Sequence, residues 1–185
     1  MAENSIKVEG MTPTSLGTMP VNVVTIPASA YTYGVWEVPG TVAANVFFSL
    51  FNPVGSGKTI VVQRLTISPY ATAAASTTGN MQSFRTTAAS AGTLVAASSI
   101  NKLDTALANS IAEVRTGNPT VTTVGQAITA TPPAITSAAV GVSPIVTTPP
   151  SGDMFILHPG EGVASKVAVG NVGQLWNVSM VWIES

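Results

Sequence analysis

Apolar and polar positions alternate with a period of two along much of the chain, most clearly between Thr41 and Phe51. There Ala44, Val46, Phe48 and Leu50 fall on one side, and Asn45 and Ser49 punctuate the other. A spacing of two marks a strand with one buried face. The pattern returns at the end of the chain, where the stretch from Leu175 to Ile183 sets Trp176, Val178, Met180 and Trp182 on one face. Elsewhere, Pro20–Ile26, Tyr31–Val38, Thr59–Ile67, Asn80–Thr87, Asp153–His158 and Val163–Val169 are rich in β-branched or aromatic residues and predict further strands. Turn residues separate them: Pro39-Gly40, Asn52 to Gly57, Pro69-Tyr70, Pro159 to Gly162 and Gly170-Asn171.

The remaining stretches lack this rhythm. Met1–Met19 shows no periodicity and predicts an extended arm, disordered or draped over a neighbour. Ala71–Gly79 is low in complexity and reads as a loop. Asn101–Glu113 carries Leu103, Leu107 and Ile111 at helical spacing, but Thr105, Asn109 and Ser110 are poor helix formers and no cap precedes them, so a short helix is the weaker reading. In Val114–Pro150 the prolines at 119, 132, 133, 144, 149 and 150 forbid a long helix. Short strands between turns fit that segment, and its Ala/Thr/Pro bias fits a flexible insertion as well. Many short strands with little helix predict an all-β sandwich or barrel, one domain over residues 20–185 behind an arm of residues 1–19.

Composition narrows the classes of function. Charged residues make up only 8% of 185 residues, against about 25% in an ordinary soluble domain. Seven basic and eight acidic side chains nearly cancel. A surface so poor in charge is weakly defended against association, which suggests that much of it meets protein. No cluster of Lys or Arg exists to hold nucleic acid. With no cysteine there is no disulfide, thiolate zinc site or cysteine nucleophile. The N-terminal residues lack a secretory pattern, and no eighteen-residue apolar window predicts a membrane helix, so synthesis in the cytoplasm is expected.

One motif suggests catalysis. Gly55-Ser56-Gly57-Lys58-Thr59 resembles the end of a phosphate-binding loop, which requires Gly, four residues, then Gly-Lys-Ser/Thr. Asn52 stands where the first glycine belongs. The residues after Thr59 (IVVQRLTI) form a good strand and a poor helix, whereas phosphate is held by a helix N-terminus. The competing reading is a glycine-rich, hairpin-like turn joining two adjacent core strands, with positive φ at Gly55 and Gly57. That reading is preferred.

Other candidates are weaker. His158, the single histidine, sits in a His-Pro-Gly turn with no nucleophile elbow in the chain, so a structural or solvated role outweighs a triad with Asp104 or Asp153. Asp153 with Glu161 is the nearest approach to a metal pair and is too small a ligand set. Glu37, Glu113, Asp153, Glu161 and Glu184 could supply paired carboxylates for glycoside hydrolysis, but nothing singles out two of them. The sequon Asn177-Val178-Ser179 falls inside an expected strand and is discounted. Tyr31, Tyr33 and Trp36 form a possible ligand or partner surface, with core packing the commoner use of such residues. No catalytic, cofactor or metal residue is therefore assigned.

Three stretches together carry a resemblance. Phe51–Ile67, with Phe-Asn-Pro, Gly-Ser-Gly-Lys and a β-branched strand, resembles a turn common in small bacteriophage virion proteins. Leu157 to Gly162 (LHPGEG) is similar to the turn before their penultimate strand, and Val178 to Glu184 (VSMVWIE) to their closing strand. The resemblance implies a jelly-roll-like β-sandwich that decorates or cements the outside of a phage capsid. It further implies a homotrimer partnered by the major capsid protein, with neither nucleic acid nor membrane as partner, and no catalytic residues. The Val114–Pro150 segment has no counterpart. The alternative is a receptor- or carbohydrate-binding module of a phage tail or fibre, using Tyr31 to Trp36 as its platform.

Overall fold

The computed structural model describes residues 30–39, 45–71, 78–130, 134–135, 145–147, 155–169 and 174–185. The N-terminal arm, the expected strand Pro20–Ile26 and Asp153 lie outside the described residues. Among the described residues are thirteen strands, one 3₁₀ turn at Ala97–Ser99, and no α-helix.

The strands form two antiparallel sheets packed face to face, an all-β sandwich. The first sheet holds β1 (Ala30–Pro39), β3 (Ile60–Ala71), β6 (Asn101–Lys102), β10 (Ile145–Thr147), β11 (Phe155–Leu157) and β13 (Gln174–Glu184). Its order is β10-β3-β13-β1-β6, with β11 also paired to β3. The second holds β2 (Val46–Phe51), β4 (Thr78–Ser90), β5 (Thr93–Leu94), β7 (Glu113–Thr116), β8 (Thr120–Ala130) and β12 (Gly162–Val169), in the order β5-β7-β2-β12-β4-β8. The two-residue strand β9 (Ala134–Ile135) pairs with β4.

The core lies between the sheets. Trp176, Val178, Met180 and Trp182 of β13 are fully buried, as their spacing predicts. They meet Val62, Leu65 and Ile67 of β3 in the same sheet, and Phe48, Leu50, Val114 and Val163 from the other. The Tyr33 ring stacks on Phe48 at 6.1 Å between centroids and 20° between planes, tying β1 to β2 across the interior. Each fully buried side chain of this size contributes about 1.5–3 kcal/mol relative to exposure.

Three local expectations change. β2 is buried at all six positions, not on one face: Phe47 and Ser49 are at most 1% exposed although they alternate with Phe48 and Leu50. β2 runs between β7 and β12, whose side chains flank its outward residues. Gly162 of β12 leaves the space that Phe51 fills, since a Cβ there would lie 2.7 Å from Phe51 Cδ2. Second, β3 runs through Pro69-Tyr70 to Ala71, held by β13 through the pairs Trp176↔Pro69 and Leu175↔Tyr70. Third, β4 begins at Thr78, so the expected loop Ala71–Gly79 loses both ends to strands.

The Asn101–Glu113 segment forms no helix, in line with helix as the weaker reading. With the residues before it, this segment makes a strap across one open edge of the sandwich. Val95 N–H donates to Val114 O in the second sheet, while β6 pairs with β1 in the first. Leu107 and Ile111 pack against the core, so their spacing reports burial without reporting a helix.

Candidate functional site

β1 divides the aromatic trio. Tyr31 and Tyr33 share the inward face. Tyr31 is 3% exposed, stacks on its cross-strand partner Trp182 at 6.1 Å, and donates its hydroxyl to Ala108 O at 3.2 Å. The register against β13 then slips between Val35 and Val38. Glu37 takes a positive φ of 54° in this bulge, and its N–H donates to Asn177 Oδ1 at 2.7 Å. Trp36, next in alternation after the inward Val35, faces outward at the start of the bulge, 68% exposed. Its indole leans back over Gly34, where a Cβ would sit 3.4 Å from Trp36 Cζ2 and 2.9 Å from Ser179 Cβ. The expected platform of three rings is thus one indole outside and two phenols in the core.

On the same sheet face, at the Thr32–Val181 pair next along from Gly34–Ser179, lies an open depression of about 330 Å³ lined by Thr32, Gln63, Arg64, Leu103 and Val181. Cross-strand pairing builds its floor, with Thr32 opposite Val181 and Val181 opposite Arg64. A second bulge, where Val181 and Trp182 meet Arg64 and Val62, leaves Gln63 as the extra residue. Such bulges re-aim side chains. Leu103 closes one wall, pinned by its N–H to Ala30 O at 2.9 Å and 54% exposed. Thr32 Oγ1 donates to Met180 O at 3.0 Å and keeps its acceptor lone pairs. Arg85 pairs with Glu161 at 3.6 Å and Arg115 with Glu113 at 3.2 Å; Arg64 has no hydrogen-bond or ion-pair partner among the described residues.

A different kind of surface lies at the far edge of the second sheet. β8 pairs with β4 on one side and ends the strand order on the other. Its sequence, TVTTVGQAITA, holds no charge, and Val124 and Ile128 are 48% and 40% exposed. Edge strands usually carry charges or prolines that discourage pairing with other chains. Here Gly125, at φ 70°, and two breaks in the β4 register, one of which leaves residues 125–128 without paired partners, interrupt the run.

Much of the phosphate-loop candidate is engaged in structure. Gly55 and Gly57 take φ of 79° and 67°, as a glycine turn requires. The turn is not a hairpin, however: β2 lies in the second sheet and β3 in the first, so residues 52–59 arch between layers. Asn52 is fully buried at its hub. Its Nδ2 donates to Lys58 O at 2.8 Å and Leu157 O at 2.9 Å, and its Oδ1 accepts from Ser56 Oγ at 2.7 Å. The N–H groups of Ser56, Lys58 and Thr59 go to Pro53 O, Ser56 Oγ and Ser185 O. Amides committed in this way do not cradle a phosphate.

The described carboxylates are separated. Glu161 accepts from His158 N–H at 2.9 Å and closes the His158–Glu161 turn, leaving His158 exposed. Glu113 serves Arg115, and Glu37 sits on the β1 bulge. Glu184 is 2% exposed and accepts from Ser110 Oγ, from Ile111 N–H at 3.1 Å and from Trp182 Nε1 at 3.3 Å. No family model matches this chain, and no curated protein or solved structure is significantly similar to it.

Glu184 also acts on its neighbour. Burial, and then the negative charge of Glu184, push the Tyr31 hydroxyl above its ordinary value near 10. The unfolded chain therefore releases this proton before the folded one does. The stabilisation is intact below about pH 10 and is lost as pH rises further. Denaturant titrations should show a steeper loss of stability above about pH 10 in the parent than in Tyr31→Phe. Equal slopes would mean that Tyr31 ionises as freely folded as unfolded.

Thr32, Gln63, Arg64, Leu103 and Val181 carried no individual signal in the sequence. Gln63-Arg64 is the partial exception, because two consecutive polar residues break an otherwise β-branched run. Together with Trp36 these side chains offer a guanidinium, an amide, a hydroxyl and three apolar surfaces. Those are groups that bind and orient a ligand.

Proposed function

We propose that this chain is a non-enzymatic structural protein of a bacteriophage virion, which binds the outer surface of the capsid and stabilises it. The uncharged, exposed edge of β8 carries the reading. Such an edge invites another chain to continue the ladder, because its unpaired backbone groups and β-branched side chains offer both hydrogen bonds and apolar contact. The low charge content of the whole chain supports it, since burying neutral surface costs less than burying ions. The strand order supports a jelly-roll-like form of the sandwich: β1, β2, β3 and β4 alternate between sheets, as do β12 and β13.

The working assembly is a homotrimer on the major capsid protein, formed in the host cytoplasm. Binding only the assembled lattice stabilises that lattice by mass action. Light scattering should give the mass of a trimer, and the protein should co-sediment with empty heads. Thr123→Lys, a charge on the β8 edge, should lower the association. A monomer that stays in the supernatant would reject the proposal.

A further inference from the structure

We infer that the depression around Arg64 is a binding site for a carboxylate-bearing saccharide, of the sialic or uronic acid type. This goes beyond the capsid reading and stands without it. The strongest observation is Arg64. It is the one arginine without a partner among the described residues, where the other two are paired. A guanidinium fork matches a carboxylate in two parallel hydrogen bonds, and it does so more specifically than an ammonium.

The surroundings suit a sugar ring. A volume of about 330 Å³ sits at the lower end of small-molecule sites, enough for a terminal residue and part of the next. Leu103 in its lining, and the exposed Trp36 farther along the same face of β1, present apolar surface where the C–H face of a pyranose can stack. The Gln63 amide can both donate and accept, and Thr32 Oγ1 can still accept, which is what hydroxyl groups need. The geometry is also constructed. Alternation along β1 sets Trp36 on the same outward face as Thr32, and a bulge in β3 adds Gln63 to that surface. A protein partner using this face alone would need roughly 800 Å² of contact, far more than the depression and its rim supply.

A glycan array bearing sialylated, uronate-containing and neutral counterparts tests the assignment, followed by titration of the tightest binder. The full-length chain should prefer acidic glycans to their neutral counterparts. Arg64→Ala should weaken acidic binding by about tenfold or more, Arg64→Lys by less, and Trp36→Ala by a comparable factor to Arg64→Ala. Both residues are exposed, so the variants should melt with the parent. No preference for acidic over neutral glycans would overturn the inference. So would acidic binding left intact by Arg64→Ala and Trp36→Ala together, or variants that lose association with heads while no glycan binds the parent.

Discussion

Replacing Glu184 with alanine is expected to cost about 4 kcal/mol of stability, enough to lower the melting temperature by about 10 °C in a chain of this length. The carboxylate is buried and gathers donors from two directions. Trp182 Nε1 comes from its own strand, while Ser110 Oγ and the Ile111 N–H come from the strap. The Ala112 N–H also reaches it, at 3.4 Å. Alanine removes both carboxylate oxygens at once, leaving only the Ala112 N–H with a second acceptor, Ser110 Oγ at 3.1 Å. The other donors then stay buried without partners or must draw water in, and each unsatisfied group costs about 1–3 kcal/mol. Glu184→Gln keeps one carbonyl but turns an amide toward the same donors, so it should fall between alanine and the parent. Thermal melts followed by circular dichroism read the loss, and amide exchange should show Ile111 and Ala112 losing protection first. If Glu184→Ala melts within a couple of degrees of the parent, the strap is held by its apolar contacts and the carboxylate is incidental.

Glu184 also shows what could be read in the chain and what could not. The run that precedes it was legible because β13 is buried on one face, and four large residues at a spacing of two follow directly from that. Glu184 continues the same parity as Trp182. An acidic residue on a core face signals either a strand end or a buried carboxylate, and only its partners 72–74 residues away decide which. The aromatic trio follows the same logic. Tyr31 and Tyr33 have odd numbers and Trp36 an even one, so period two already placed the indole apart from the phenols. Adding the three as one surface overlooked that parity. The β1 bulge, which begins at Trp36, depends on Glu37 adopting positive φ against Asn177 and leaves no local mark.

Sheet membership was the larger blind spot. A glycine turn between two good strands looks the same whether the strands pair with each other or part into opposite layers. The difference lies in the partners: β2 finds β7 and β12, whereas β3 finds β13. Those strands come from distant parts of the chain. The depression around Arg64 was hidden for the same reason, because Thr32, Arg64, Leu103 and Val181 become neighbours only through long-range pairing. Chemistry distributed over one residue per strand has no spacing to detect.

Asn52→Gly puts the arch to its sharpest test, because it completes the phosphate-loop pattern Gly-x-x-x-x-Gly-Lys-Thr in sequence. Motif reasoning alone would predict a gain of nucleotide binding. The structure predicts none, together with a loss of about 3 kcal/mol in stability. Asn52 is the side chain around which the arch closes: its amide nitrogen bridges Lys58 O and Leu157 O, and its oxygen holds Ser56. Its backbone extends the same junction, donating to Glu161 O and accepting from Gly160 N–H, both at 2.8 Å. Glycine keeps the backbone bonds but leaves two buried carbonyls and a hydroxyl without their partner, and it adds freedom to the unfolded chain. Asn52→Asp separates these effects. It retains the acceptor for Ser56 but sets a carboxylate oxygen against the two carbonyls, so it should be at least as damaging as glycine. Calorimetric titration with ATP and magnesium should show no heat of binding in the parent, in Asn52→Gly or in Lys58→Ala. Saturable ATP binding by Asn52→Gly would mean that its loop amides are free to turn outward, and the arch would then be a phosphate site held shut by one asparagine. The strand after Thr59 argues against that outcome. β3 directs its amides sideways into ladders with β13 and β11, so no converging set of N–H groups and no helix dipole faces the loop.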